Sequence, residues 1–384
     1  MKLGVLRDRL YRGCLLTSKI VTSKSNLPIL SNIIFTATED NALRITASNL
    51  DISIRLTIPA KVTEPGETSV PAKKFTEYLA SLQAERIDLS DDRRHIVVAD
   101  GKTEARFVTM PAEDFPMLPE IPAETKKIIL HKDGLHQMIR QVVFASATGE
   151  MHPVLSGVLF EIANSDELTV VATDSFRLSK TIVKLTSPAE IGSFILPASV
   201  LSEVDHIAQD SFVNTGESKV EQIVLSLSPN ENQVFFNIGA VAVIARLLEA
   251  EFPDYKKVIP TESTTTVVVD REGLSQAIRR SAVFTARDVQ AIRYSVSVKD
   301  QNTKLQAQSA EVGSVVDTIP VQVSGNDLEL GFNYRYLADG LDAFSSQTVT
   351  LSLNQADTPV LMTSTEIQGF QHVIMPMSLN NDHA

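Results

Sequence analysis

A single cysteine, Cys14, stands in a chain of 384 residues. That excludes an internal disulfide framework and fits a reducing compartment. It also excludes zinc-finger spacings, which need more than one thiolate. Long apolar runs are missing too. The longest, Ile238 to Ala245, is too short to span a bilayer. Arg7, Asp8 and Arg9 interrupt the region where a secretory signal needs its apolar stretch, so a cytoplasmic setting without membrane contact is expected. The 16 glycines contain no G-x-G pair, which removes the dinucleotide fingerprint, and there is no P-loop. The seven histidines are scattered. His131 and His136 would point to different faces of a helix, so neither a metal site nor a cofactor is expected. No serine sits in a G-x-S-x-G elbow. A hydrolase set of His152, Ser156 and Asp174 can be drawn, but Ser156 falls within a strand-like run. The chain is therefore not expected to be an enzyme.

Excess positive charge is also lacking. With 35 basic and 47 acidic residues the formal charge is −12. That argues against coating nucleic acid by bulk electrostatics. A local basic surface stays open, so the distribution of charge matters more than its sum.

What the chain does have is itself, repeated. Residues 8 to 47 recur at 133 to 172 at a fixed offset of 125. Asp8 meets Asp133, Pro28 meets Pro153, Leu30-Ser31 meets Leu155-Ser156, and Phe35 meets Phe160. A third copy begins where Gly134-Leu135, Gln137, Ile139 and Arg140 reappear as Gly273-Leu274, Gln276, Ile278 and Arg279. The period is too long for a solenoid, so each unit is a whole domain. The expected domains are 1–125, 126–260 and 261–384, joined near Pro116 to Pro122 and Pro253 to Ser263.

Within a unit the pattern reads helix, strands, helix, strands. Leu135, Met138, Ile139, Val142 and Val143 mark one face of an opening helix. Cys14 takes the place of Ile139 and should face a core. The opposite faces are basic: Arg7, Arg9, Arg12 and Lys19 in copy one, Lys132 and Arg140 in copy two, Arg271, Arg279 and Arg280 in copy three. An alternating run from Val154 to Ile162 reads as a strand, with Leu168 to Ala172 as the next. Second helices are expected at Ala72 to Leu82 after Pro71, Ala198 to Ala208 after Pro197, and Tyr334 to Phe344. Further strands follow, such as Gln222 to Leu227 and Thr348 to Leu353. The class is α+β, with helices on one face of antiparallel sheets.

Three segments carry a specific resemblance. Ala172-Thr173-Asp174-Ser175-Phe176-Arg177-Leu178 resembles the A-T-D-x-x-R-L segment of the bacterial DNA sliding clamps, the beta subunits of the replicative polymerase. Phe252-Pro253-Asp254-Tyr255 through Val258 and Pro260 is similar to that family's linker, and Val373 to Met377 to its V-x-M-P-M ending. Leu27-Pro28-Ile29-Leu30 matches an early L-P-I-L run. The resemblance covers essentially residues 1 to 379. It implies the DNA-clamp fold in a head-to-tail homodimer whose six domains close a ring around duplex DNA and tether the polymerase. DNA is held topologically and without sequence specificity, which an acidic exterior tolerates.

The DNA-facing set is then Lys24, Arg7, Arg12, Lys19, Lys73, Lys74, Lys132, Arg140, Arg279, Arg280 and Arg335. The second domain's loop around Gly149 to His152 lacks the aromatic residues of some members. The resemblance also implies an apolar cleft that takes short peptides from the polymerase, the clamp loader and other partners with a clamp-binding motif. Its walls carry over to Leu155, Thr173, Ser175, Phe176, Arg177, Leu178, Pro253, Val258, Asn333, Tyr336, Val360, Met375, Pro376 and Met377. The methionines would offer a deformable surface. Phe176 stands where a smaller polar ring is common, and Ser378 where a basic residue often follows. Subunit contacts carry over to Phe107, Val283 and Phe284. The competing reading is a triplicated α+β scaffold that binds proteins without encircling DNA, against which the basic opening helices speak.

Overall fold

The computed structural model describes residues 1–22, 27–120, 126–149, 152–164, 166–189, 191–214, 219–228, 232–285 and 290–378. The first repeat runs β1 (Lys2–Leu6), α1 (Arg7–Ser18), β2 (Asn32–Thr38), β3 (Ala42–Ser48), β4 (Ile52–Pro59), β5 (Lys61–Glu64) and β6 (Gly66–Pro71). It ends with α2 (Ala72–Ser81), β7 (Arg86–Asp91), β8 (His95–Ala99) and β9 (Glu104–Val108). The second runs β10 (Lys126–His131), α3 (Lys132–Val142), β11 (Gly157–Asn164), β12 (Glu167–Thr173), β13 (Arg177–Lys184) and β14 (Phe194–Pro197). Then come α4 (Ala198–Gln209), β15 (Gln222–Ser228), β16 (Gln233–Ile238) and β17 (Val241–Arg246). The third runs β18 (Thr265–Asp270), α5 (Arg271–Ala282), β19 (Ala291–Ser297), β20 (Asn302–Ser309), β21 (Gly313–Pro320), β22 (Gln322–Ser324) and β23 (Leu328–Asn333). It closes with α6 (Tyr334–Asp342), β24 (Thr348–Leu353), β25 (Val360–Thr363) and β26 (Gln371–Ile374).

Two compact units hold these elements: residues 1–133 with 202–247, and residues 134–201 with 248–384. The first unit contains a five-stranded sheet, β5-β1-β7-β8-β9, and an eight-stranded one, β10-β15-β16-β17-β4-β3-β2-β6. The second contains a nine-stranded sheet, β14-β11-β12-β13-β26-β25-β24-β18-β22, and a four-stranded one, β21-β20-β19-β23. Among the described residues every strand pairing is antiparallel. The sheets ignore the boundaries of the repeats. β4 of the first repeat pairs with β17 of the second, Ile52 opposite Ala245. β13 of the second pairs in the same way with β26 of the third, Arg177 opposite Ile374.

The helices follow from their apolar stripes. In α1 the buried residues Leu10, Gly13, Cys14 and Thr17 fall three and four apart. A Cβ at Gly13 would meet the Ile45 and Leu56 side chains at 2.8 and 3.0 Å, so glycine sets how closely α1 lies on β3 and β4. Cys14 is wholly buried, as its repeat position predicts, and desolvation pushes its thiol pKa far up, leaving it inert. Among the described residues no helix is long and apolar enough to cross a membrane.

Two sequence readings need correction. Each repeat opens with a strand, not a helix, because β1, β10 and β18 are short and precede the more conspicuous helical pattern. Val154 and Ser156 are not in a strand. Pro153–Ser156 forms a 3-10 turn, as Pro28–Ser31 does in the first repeat. In both, proline fixes φ at the turn's start, and the serine hydroxyl donates to the carbonyl three residues back at 2.7 Å. The alternation that suggested a strand begins properly at Gly157.

Candidate functional site

The turn between β12 and β13 is built by Asp174. Its Oδ1 accepts from the backbone N–H groups of Phe176 and Arg177, both at 2.9 Å. Thr173 Oγ1 donates to the Arg177 carbonyl at 2.7 Å and accepts from Ser175 N at 3.2 Å. This Asx-turn places Ser175 at φ 78° and throws Phe176 outward, 60% exposed. The first repeat makes the same turn. Asn49 Oδ1 accepts from the N–H groups of Asp51 and Ile52, and Leu50 lies at φ 80°. The backbone is therefore shared; Phe176 and Arg177, where the first repeat has Asp51 and Ile52, are not.

Arg177 is the hub of the surface beside this turn. Its guanidinium donates to Asp174 at 2.9 Å and to Asp339 of α6 at 2.5 Å. It lies over the Tyr336 ring, 4.6 Å from the centroid, and over Phe144 at 5.4 Å. Its side chain is only 11% exposed, so the pairs to Asp174 and Asp339 orient the group rather than leave it free. Phe176 stacks on Tyr336 at 6.4 Å between centroids. Asn333 caps α6 by accepting from Arg335 N and so fixes where Tyr336 emerges.

The Met-Pro-Met segment completes the surface. Met375 N donates to the Phe176 carbonyl at 2.9 Å and Met377 N to the Gly331 carbonyl at 2.8 Å. The segment thus bridges the second repeat's β13 and the third repeat's β23. Met375, Pro376, Met377 and Thr173 are half-buried, while Pro253 and Val258 are exposed. Phe176, Arg177, Tyr336 and Met375–Met377 are joined into one surface. Leu155 and Leu178 are buried beneath it. Val360 is fully buried in the third repeat's core and offers no surface, because it pairs with Ile374 with its side chain inward. Sequence reasoning left out Asp174, Asp339 and Phe144. Asp174 stood inside the quoted motif, and Asp339 lies one helical turn after Tyr336; Phe144 gave no signal.

Behind Arg177 lies His372, wholly buried on β26. Its Nδ1 is 2.7 Å from Ser179 Oγ, across the β13–β26 ladder. Gly340 of α6 leaves room for the imidazole, which a Cβ there would overlap. Burial, and then the Arg177 charge, push its pKa down to about 3. The folded state therefore keeps His372 neutral where the unfolded chain would protonate it. Its contribution to stability is complete above the unfolded value of about 6.5 and is lost as pH falls from there toward 3. His372→Gln is expected to flatten the pH dependence of the melting temperature across that window. An unchanged slope would show that another group governs acid unfolding.

The basic helix faces are exposed but partly countered. Arg12 pairs with Asp8 at 3.2 Å, Lys74 with Glu77 at 2.8 Å and Arg280 with Asp317 at 2.5 Å. Arg279 is 4.0 Å from Asp342, and Arg140 donates to the Asp342 carbonyl at 3.3 Å. Lys132 reaches Asn214, and Arg335 bonds the Tyr334 hydroxyl. Arg7 is half-buried beside Asp8, while Lys19 and Lys73 are exposed. Lys24 lies outside the described residues. Of the expected subunit contacts, Phe107 makes edge contacts with Phe75 and Tyr78, and Phe284 packs on the third repeat's core. Val283 is 64% exposed.

Tandem α+β repeats with two helices each on antiparallel sheets, carrying an apolar surface beside an oriented guanidinium, define a class of clamp proteins. The family models for the N-terminal, central and C-terminal domains of the DNA polymerase III beta subunit match residues 1–119, 129–254 and 256–378. The beta sliding clamp of Streptococcus pneumoniae strain R6 is 30% identical, over 95% of this chain and 96% of that one. That of Bacillus subtilis is 29% identical, over 98% and 99%. The crystal structure of the Bacillus subtilis clamp superposes with a TM-score of 0.91 at 27% identity, over 99% of this chain and all of that one. The chain belongs to the DNA polymerase III beta subunit family, the beta sliding clamps. Its fold is three clamp domains, and its role is that of a processivity subunit, not an enzyme.

Proposed function

We propose that the chain acts as a head-to-tail homodimer that encircles duplex DNA and tethers a DNA polymerase through the surface around Arg177, Phe176 and Met375–Met377. Its domains in this reading are 1–125, 126–260 and 261–384. The observation that carries the ring is the repeated strand pairing. β4 joins β17, and β13 joins β26. The third repeat's counterpart of β4 and β13 is β21, and the first repeat's counterpart of β17 and β26 is β9. Among the described strands each of these two is the edge of its sheet. The pairing still to be made is β21 of one copy with β9 of another, and two such contacts close the assembly.

The helix faces that carry Arg12, Lys19, Lys73, Lys74, Lys132, Arg140, Arg279, Arg280 and Arg335 would line the hole. Their carboxylate neighbours keep the field on phosphates shallow, which suits sliding. The Arg177 surface supports peptide capture by polymerase, clamp loader and other partners. It offers a stacked aromatic pair, an oriented guanidinium and a deformable methionine wall.

The test is retention on nicked circular DNA after loading with a clamp loader and ATP. Retention is expected to persist on the circle and to fall to background once the DNA is linearised. Retention that survives linearisation would favour direct binding over encirclement.

A further inference from the structure

The first unit holds a cavity of about 320 Å³ between one face of the eight-stranded sheet and the linker at residues 112–118. Thr36, Arg44, Thr46 and Arg55 floor it, and Phe115 and Leu118 wall it. Thr46 lies opposite Arg55, and Arg44 precedes Thr46 by two residues. Arg44 and Arg55 therefore rise from one face of adjacent strands, at diagonal positions whose backbones are roughly 7–8 Å apart. The Arg55 Nε is buried and meets no acceptor. Burial, and then the charge of Arg44, lower the Arg55 pKa, with Glu120 opposing. Two like charges side by side, one with an unused donor, are an arrangement that a bound anion would relieve.

The second repeat shows how the same place is otherwise filled. At the offset of 125, Thr36, Thr46 and Arg55 correspond to Glu161, Val171 and Lys180. The linker run Phe115-Pro116-Met117-Leu118 corresponds to Phe252-Pro253-Asp254-Tyr255. There Tyr255 is 6% exposed and packs with Leu159 and Val171. Its hydroxyl donates to Glu161 at 2.7 Å, and Lys256 pairs with the same carboxylate at 3.2 Å. The second repeat thus supplies its own ring and its own carboxylate. The first has Leu118 in place of the ring, Thr36 in place of the carboxylate, and a second cation, Arg44, where the second repeat has Thr169.

We infer that this cavity is a second binding site, one that takes a carboxylate side chain next to an apolar residue on a peptide segment of a partner protein. The carboxylate bridges Arg44 and Arg55, with Thr46 as a further donor. The apolar neighbour packs on Phe115, Leu118 and Met117, the last of which is 96% exposed. Glu67 and Glu113 stand at the rim, and Glu67 is already held by the Thr36 hydroxyl at 3.0 Å. Glu67, Glu113 and, near Arg55, Glu120 oppose a phosphate dianion more than a monoanion, so direct hydrogen bonds to Arg44 and Arg55, not net charge, hold the carboxylate. A volume of about 320 Å³ is within the range of small-ligand pockets.

Methyl NMR of the full-length protein, followed at the Met117 methyl, tests this with N-acetyl-Leu-Asp-amide as the probe. A saturable shift is expected. Its dissociation constant should rise at least tenfold with N-acetyl-Leu-Asn-amide and in the Arg44→Gln, Arg55→Gln double variant. Leu118→Tyr, which places in the first repeat the ring that Tyr255 supplies in the second, should abolish the shift without altering the arginines. The proposal is overturned if the acidic dipeptide produces no saturable shift, or if the amide binds equally well. Inorganic phosphate binding as tightly as the dipeptide would overturn the choice of a carboxylate-bearing segment.

Discussion

Removal of residues 375–384 abolishes capture of a polymerase-derived clamp-binding peptide and leaves the dimer intact. The reason lies in what the segment joins. Met375 is tied to the Phe176 carbonyl and Met377 to the Gly331 carbonyl, so the Met-Pro-Met run forms a wall shared by the second and third repeats. The deletion takes away three half-buried side chains and both backbone links. Partial burial of three such side chains against a ligand is worth on the order of 3 kcal/mol, roughly a hundredfold in affinity. Phe176, already 60% exposed, also loses the Met375 N–H that orients its carbonyl. Strand β26 ends at Ile374 and keeps its ladder with β13, so the fold should persist. Fluorescence anisotropy of a labelled peptide, with sedimentation of the same sample, decides the matter. Loss of the dimer would place the segment at the subunit contact and sink the assignment of the cleft.

Val108→Asp or Val316→Asp, each alone, converts the dimer to a folded monomer. Val108 on β9 is 69% exposed and Val316 on β21 is 59% exposed. Among the described residues both lie on strands at the edge of a sheet, paired on one side only, β9 with β8 and β21 with β20. A charge there costs the isolated chain little, because water already solvates the position. In a paired edge it removes about 1.5–3 kcal/mol of valine burial and adds the desolvation of a carboxylate. A dimer dissociation constant raised by at least roughly a thousandfold is the expected result. Sedimentation reads the association state, and circular dichroism confirms the folded monomer. A dimer that persists in both variants would reject the β21–β9 pairing.

The two experiments probe different kinds of information in the chain. Triplication, the α+β class and the helix positions were legible because they rest on local periodicity. Leu10 and Cys14, and Leu135 and Ile139, repeat at helical spacing, and Pro71 and Pro197 mark the starts of two second helices. The opening strands β1, β10 and β18 were not legible, because five or six residues carry too weak a signal beside a strong helix. The Pro153–Ser156 turn reads as strand in the sequence for a related reason. Its apolar alternation is genuine, but a serine hydroxyl bonded to a carbonyl three residues back overrides it.

The candidate site divides in the same way. The stretch from Thr173 to Leu178 and the Met-Pro-Met end were visible as motifs. Val360 could not be sorted from the wall residues, because a strand pattern fixes which residues share a face but not which face meets a core. Asp339 and His372 were invisible as partners of Arg177 and Ser179, since 162 and 193 positions separate each pair.

By itself, then, the sequence determined one domain used three times, the absence of any recognisable catalytic set, and basic helix faces in an acidic chain. These follow from periodicity and composition, which need no knowledge of distant neighbours. Only the tertiary structure decided that sheets run across the boundaries of the repeats and that β9 and β21 are left as edges. It also decided that one turn, drawn twice with the same backbone, carries Arg177 and Phe176 in one copy and Asp51 and Ile52 in the other. The physical reason is that hydrogen-bonded ladders and buried ion pairs form between residues remote in sequence, and a local pattern cannot choose their partners.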